Sequence, residues 1–176
     1  YNEAMSRLGE TNIFIEDNAS ITAPEIKAKC RRLASMPKGL GLVVIDYLQL
    51  VTTGSNRIES RQVEVSEISR SLKTMALELD VPVIALAQLS RSVDKRENKE
   101  PALVDLRESG SLEQDADLVL FLNRKDYYEA KSEKRETIVP IDVIIAKHRK
   151  GSTGLYRLLF ELNMSNFKNY MNKEEL

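Results

Sequence analysis

The chain has 176 residues, 42% hydrophobic and 30% charged, enough for one folded domain with a sizeable core. Its 26 basic and 27 acidic residues leave a net charge of -1, so no overall field draws it to nucleic acid or an anionic membrane. The single cysteine excludes a disulfide scaffold and a cysteine-rich metal site and fits a reducing cytosol, the single histidine leaves zinc chemistry and His-based dyads little to work with, and no apolar run reaches bilayer-spanning length.

Taken in chain order, "NIFIED" (12–17) predicts a short apolar strand ending in two acids. "TAPEIKAKCRRLASMPKG" predicts a helix with a Thr22–Glu25 capping box and Pro24 in its first turn. Ile26, Cys30 and Leu33 share one face of it, which assigns Cys30 to core packing. "LGLVVIDYLQL" (40–50) is an aliphatic run broken by Asp46 and reads as a strand buried on both faces. After the polar loop "TTGSNRIESR", Val65, Ile68, Leu72, Met75 and Leu79 form the stripe of a long helix.

"VPVIALAQL" (81–89) is a second buried strand, with Gln88 near its end. A long polar connection leads to "DLVLFL", a third buried strand. "RKDYYEAKSEKRET" is a solvated excursion whose Tyr127–Tyr128 pair is assigned to packing. "IDVIIAKHRKGSTGLYRLLFEL" predicts a hairpin turning at Gly151–Gly154, and the last dozen residues are expected to fray. Buried strands alternating with helices, then a hairpin, give an α/β domain with a mostly parallel sheet, helices on both faces and a C-terminal antiparallel hairpin.

Burying a carboxylate costs several kcal/mol without compensation, so Asp46 needs a counterpart. In parallel α/β sheets ligands bind beyond the carboxyl ends of the strands, where both Asp46 and Gln88 fall. Asp46 can hold a divalent cation beside nucleotide phosphates, directly or through water; the plain alternative is a cap on the following turn. Arg107-Glu108-Ser109-Gly110-Ser111 is a Gly-containing loop before Ser111-x-x-Gln114, which predicts a capping box opening a short helix. Backbone N–H groups at such a start suit phosphate oxygens; otherwise the loop is plain surface with Arg107 and Glu108 paired. Lys147 and Arg149, two apart, project from one face of the hairpin strand, and from Lys147 to Arg157 there are four bases and no acid. Such a tip can reach a phosphate on another chain, or can be an ordinary solvated turn.

"GLGLVVIDYLQL", "RQVEVSEISRSLKTMALELDVPVIALAQLSR", "DLRESGSLEQDADLVLFL" and "IIAKHRKGSTG", in this order over nearly the whole chain, resemble the RecA-like motor domain of DnaB-family replicative helicases. The resemblance implies a RecA-like P-loop ATPase core in a homo-hexameric ring that hydrolyses ATP between subunits and translocates on single-stranded DNA. It implies a cytoplasmic, nucleoid-associated protein with primase and a helicase loader as partners. It makes Asp46 the Walker-B aspartate that holds Mg, through water, and Gln88 the γ-phosphate sensor. Arg107, Glu108 and Gly110 fall on the family's DNA-contacting loop. Lys147 and Arg149 fall where the family supplies basic residues to the neighbouring subunit's ATP.

One motif of that family is missing: the sequence holds no GxxxxGK[ST] phosphate loop. Residues 1–176 are therefore expected to be the C-terminal portion of one motor domain, from Walker B onward, with 163–176 a polar tail. The complete protein is expected to be an ATP hydrolase and the chain by itself inactive. Two rival readings remain at this level. One is a nucleotide-free assembly or single-stranded DNA-binding module of RecA-like fold. The other is a receiver-type phosphoacceptor pocket built from Glu16-Asp17, Asp46 and Lys147.

Overall fold

The computed structural model describes residues 2–18, 20–54, 60–90, 93, 96, 98–109, 111–125 and 137–170, with side chains left out for 107–109. The elements in chain order are α1 (Asn2–Gly9), α2 (Ala23–Ala34), β1 (Val43–Ile45), α3 (Arg61–Leu79), β2 (Val83–Ala85), α4 (Leu112–Asp115), β3 (Leu118–Asn123), β4 (Ile138–His148), β5 (Gly154–Glu161) and β6 (Asn166–Asn169). 3₁₀ helices occupy Leu48–Leu50 and Leu103–Ser109.

The predicted capping box forms: Thr22 Oγ1 accepts from Glu25 N–H at 3.3 Å, and the Glu25 carboxylate accepts from Thr22 N–H at 2.8 Å. α3 starts at Ser60, whose hydroxyl accepts from Val63 N–H, and ends at Asp80 in the left-handed region. The two helices pack on the same side of the parallel pair β1–β2, registered Val43↔Val83, Val44↔Ile84 and Ile45↔Ala85. Ala23, Ile26 and Cys30 of α2 meet Ile68, Leu72 and Met75 of α3 over Ile45, Leu48 and Val51. Cys30 is a core residue as expected, and burial pushes its thiol pKa up.

Three expectations about strands need correction. The two central strands are not buried on both faces: Val44 and Ile84, pointing away from the helices, are 58% and 53% exposed. "NIFIED" is no strand; Ile13, Phe14 and Ile15 are exposed, because a strand exists only through a paired neighbour and β1 pairs with β2 alone among the described residues. "DLVLFL" becomes β3, but it pairs antiparallel with β4 and is buried only at Val119, Phe121 and Asn123. Its exposed Leu118, Leu120 and Leu122 hide the alternation from a reading by hydrophobicity.

β3, β4, β5 and β6 form one antiparallel sheet, with an irregularity between Val119 and Leu120. A small second core of Leu106, Val119 and Phe121 lies under its first strand. The predicted hairpin is β4–β5, with Ile145 opposite Gly154. Part of the stretch expected to fray is ordered as β6, held by its ladder to β5 and by Phe167 tilted against Phe160 at 4.6 Å between ring centroids. Residues 171–176, the Tyr127–Tyr128 pair and most of the charged excursion lie outside the described residues.

Candidate nucleotide and DNA site

β1 and β2 run parallel, so their carboxyl ends open on the same side. Asp46 follows Ile45 directly and is exposed; its carboxylate has no hydrogen-bond or ion-pair partner among the described residues. The burial problem posed by the sequence is thereby resolved: Asp46 stands just past the apolar run and keeps its water. Gln88 is likewise exposed, three residues beyond Ala85. No hydrogen bond joins the Asp46 carboxylate to the Gln88 amide among the described residues; a third residue joins their loops.

That residue is Gln49. Its side-chain Nε2 donates to Gln88 O at 3.1 Å, and its Oε1 accepts from Gln88 N–H at 3.3 Å. Leu48 N–H donates to Leu86 O and Leu86 N–H donates to Ile45 O, both at 2.9 Å. The Gln49 amide thus continues a ladder that the two backbones begin. Arg61, first residue of α3, donates through Nη2 to Gln49 O at 2.9 Å and Val51 O at 3.2 Å. Its Nη1 pairs with Glu64, which is only 4% exposed and also accepts Thr53 N–H at 3.1 Å. Sequence reasoning missed Arg61 and Glu64; an i,i+3 pair of opposite charge at the start of α3 was the available signal.

The 107–110 segment is pinned on both flanks. Upstream, Asp105 is 3% exposed, pairs with Arg96 and accepts Ala102 N–H at 2.8 Å, while Leu106 enters the second core. Downstream, Ser111 N–H donates to Ser66 Oγ at 3.2 Å, and Ser111 Oγ bonds Asp115 at 2.7 Å. Asp115 also accepts from Ser69 Oγ at 2.8 Å, which docks α4 on α3. The predicted Ser111–Gln114 capping box is therefore absent: the serine hydroxyl is spent on Asp115 and α3, and it makes no cap hydrogen bond. The side chains of Arg107 and Glu108, and all of Gly110, lie outside the described residues.

Lys147 and Arg149 do share a face of the hairpin, as their spacing predicts, but the tip is not unpaired charge. Lys147 Nζ donates to Glu113 O and Gln114 O, and Arg149 Nη2 donates to Gln114 O, so both bases cap the C-terminal end of α4. Arg149 Nη1 also meets Asp117 Oδ1 at 3.2 Å. Residue spacing carries no sign of this, because the acceptors are main-chain carbonyls that every residue has. A hydrogen bond from Lys73 holds the Asp117 carboxyl below the usual range against the opposing effect of burial, with the charges of Lys73 and Arg149 adding to the lowering. His148 points away and lies over Gly151, where a Cβ would collide with the imidazole ring.

Among the described residues, no three His, Cys, Asp or Glu side chains converge as a cation cage. A magnesium ion keeps several waters and takes one or two carboxylates plus substrate phosphates, a demand that the single open Asp46 carboxylate fits. The receiver arrangement is not formed, since Glu16 and Asp17 sit in irregular chain and Lys147 is committed to α4. Among the described residues no helix is long and apolar enough to cross a membrane.

Residues 1–169 match the sequence profile of the DnaB-like helicase C-terminal domain. The chain is 53% identical over 166 residues to the replicative DNA helicase DnaB of Geobacillus stearothermophilus, and 50% identical over the same length to DnaC of Bacillus subtilis. It spans 36% of the length of each. A solved ATPase domain superposes with TM-score 0.85 at 46% identity, covering 97% of this chain and 59% of the other. A DnaB-like replicative helicase solved in a study of its interactions with primase superposes with TM-score 0.84, also at 46% identity, covering 97% of this chain and 41% of the other. The parallel pair flanked by helices and the antiparallel strands after it are thus parts of a RecA-like α/β core, and the chain belongs to the DnaB-like helicase C-terminal domain family.

Proposed function

We propose that the complete protein is a hexameric, ATP-dependent replicative DNA helicase that moves on single-stranded DNA and unwinds duplex at the fork. The observation that carries this reading is the open end of the parallel pair, where Asp46 stands free and Gln88 is bracketed to its loop by Gln49. Asp46 is the residue that would hold magnesium, and with ATP bound the ion would supply charge neutralisation at the phosphoryl group. Gln88 senses the γ-phosphate. The segment Arg107, Glu108 and Gly110, pinned at both ends, contacts DNA phosphates, and six copies around a ring supply avidity that one copy lacks.

Lys147 and Arg149 serve the nucleotide of the adjacent subunit, where arginine stabilises charge developing in the transition state. Single-stranded DNA, primase and a helicase loader are the partners, and the cytoplasm, at the nucleoid, is the place of action. Replacing Asp46 by Ala in the complete protein tests the reading. Magnesium-dependent turnover is expected to vanish while the ring stays assembled, and retained turnover would move the site elsewhere. Arg107→Ala is expected to weaken single-stranded DNA binding for all sequences and flatten its salt dependence. Unchanged affinity, or a loss confined to one base composition, would remove this loop from the DNA channel.

A further inference from the structure

We infer that Asp117 is a positioning residue for Arg149; this rests on the reading of Arg149 as acting on a neighbouring subunit. Leu118 is registered opposite His148, so Asp117 and Arg149 face each other one step further along the antiparallel ladder. Arg149 N–H donates to Asp117 O at 2.9 Å, and the guanidinium meets the carboxylate at 3.2 Å. The other carboxylate oxygen of Asp117 is taken by Lys73 of α3, which fixes the plane of the acceptor from the helical side. The guanidinium's second partner is Gln114 O, at the end of a helix that begins two residues after Gly110.

These contacts leave Arg149 held but not used up. An arginine guanidinium carries more N–H donors than its two partners here engage, so it can keep both and still offer a fork to a phosphate. An arginine on a hairpin tip otherwise samples many rotamers, and displacement of a catalytic group by about 1 Å can cost about a hundredfold in rate. Asp117 and Gln114 O restrict that sampling. Gln114 O is itself held in place, because it belongs to α4 and Ser111 at the other end of that helix is anchored to α3.

The test uses the complete hexameric protein and steady-state ATP turnover on single-stranded DNA. D117N is expected to lower kcat about ten- to a hundredfold, short of the roughly thousandfold or greater loss expected for R149A. The KM for ATP should stay within about twofold. Mixed with Asp46→Ala subunits, D117N should regain activity as R149A does, because an intact Asp117–Arg149 unit then faces an intact Asp46 site. Unchanged kcat in D117N, a change confined to KM, or higher turnover would each overturn the proposal. If R149A is rescued by mixing and D117N is not, the proposal fails while the trans reading stands. If neither is rescued despite subunit exchange, the trans reading itself fails and takes the proposal with it. D117E keeps the charge and should recover part of the turnover. Equal losses in D117E and D117N, with a lowered melting temperature in both, would make Asp117 a folding residue and sink the positioning role.

Discussion

Removing the Arg61 side chain should destabilise the fold by more than a surface ion pair would. Arg61 bridges three things at once: the buried Glu64 carboxylate, Gln49 O and Val51 O. Taking away one member of a buried pair costs about 3–5 kcal/mol, because a charge is left without its counterpart. Here the Arg61 side chain is 44% exposed, so on its removal water reaches Gln49 O and Val51 O, and Glu64 keeps its bond from Thr53 N–H. These two effects bring the expected cost of Arg61→Ala to about 2–3 kcal/mol. Glu64→Gln keeps an acceptor for Thr53 and should cost about 1 kcal/mol. With a urea m-value of about 2 kcal/mol/M, Arg61→Ala should lower the midpoint by about 1 M. The assay is urea unfolding followed by far-UV circular dichroism, at a concentration below the onset of association. In the double variant the two losses should overlap by about 1 kcal/mol, nearly the whole of the smaller one, as groups in direct contact do. Strict additivity, or a midpoint shift below about 0.25 M for Arg61→Ala, would refute the claim that Glu64 depends on Arg61.

With no phosphate loop in its sequence, the chain alone should show no ATP turnover above background; magnesium-dependent hydrolysis lost on Asp46→Ala would mean the site is misplaced. The exposed apolar row of Val44, Ile84 and Leu86 should make the chain associate as concentration rises, and Val44→Lys with Ile84→Lys should suppress it in sedimentation velocity. For Asp142, burial works to raise the carboxyl pKa, but the hydrogen bonds and charges of Arg157 and Lys125 outweigh it and the net direction is down. A depressed folded pKa gives stability present above the unfolded value of about 3.9 and lost as pH falls through the folded value. Acid unfolding should therefore begin below about pH 4 and shift less steeply in Asp142→Asn, with an identical acid limb in the two proteins as the contrary result.

The helices were legible because their signals are local. Thr22, Pro24 and Glu25 announce the start of α2, and the spacing of Ile68, Leu72 and Met75 fixes the buried side of α3. Strand pairing was less legible, since "VVI", "VIA" and "LVLFLN" look alike to a hydrophobicity count while their partners and directions differ. β6 escaped notice because Asn166, Lys168 and Asn169 are polar, and only Phe167 carries its packing. Of the candidate site, Asp46 and Gln88 could be placed from strand ends alone. Gln49 and Asp117 could not, because their partners are backbone groups or residues distant in sequence.

The bracket that Gln49 forms on Gln88 also sets how that part of the chain breathes. Up to Leu86 the two segments are joined by main-chain bonds, which open only if the strands part. At Gln88 both bonds end on a side chain with three rotatable torsions, so the amide can be released by a rotamer change that leaves β1 and β2 in register. Native-state hydrogen exchange should accordingly divide the segment in two. Leu86 N–H should exchange through the larger opening that separates the strands, and Gln88 N–H through a far cheaper local one. Gln88, beyond the end of β2, thus has a compliant mounting, free to travel a short way without unzipping the sheet that carries it.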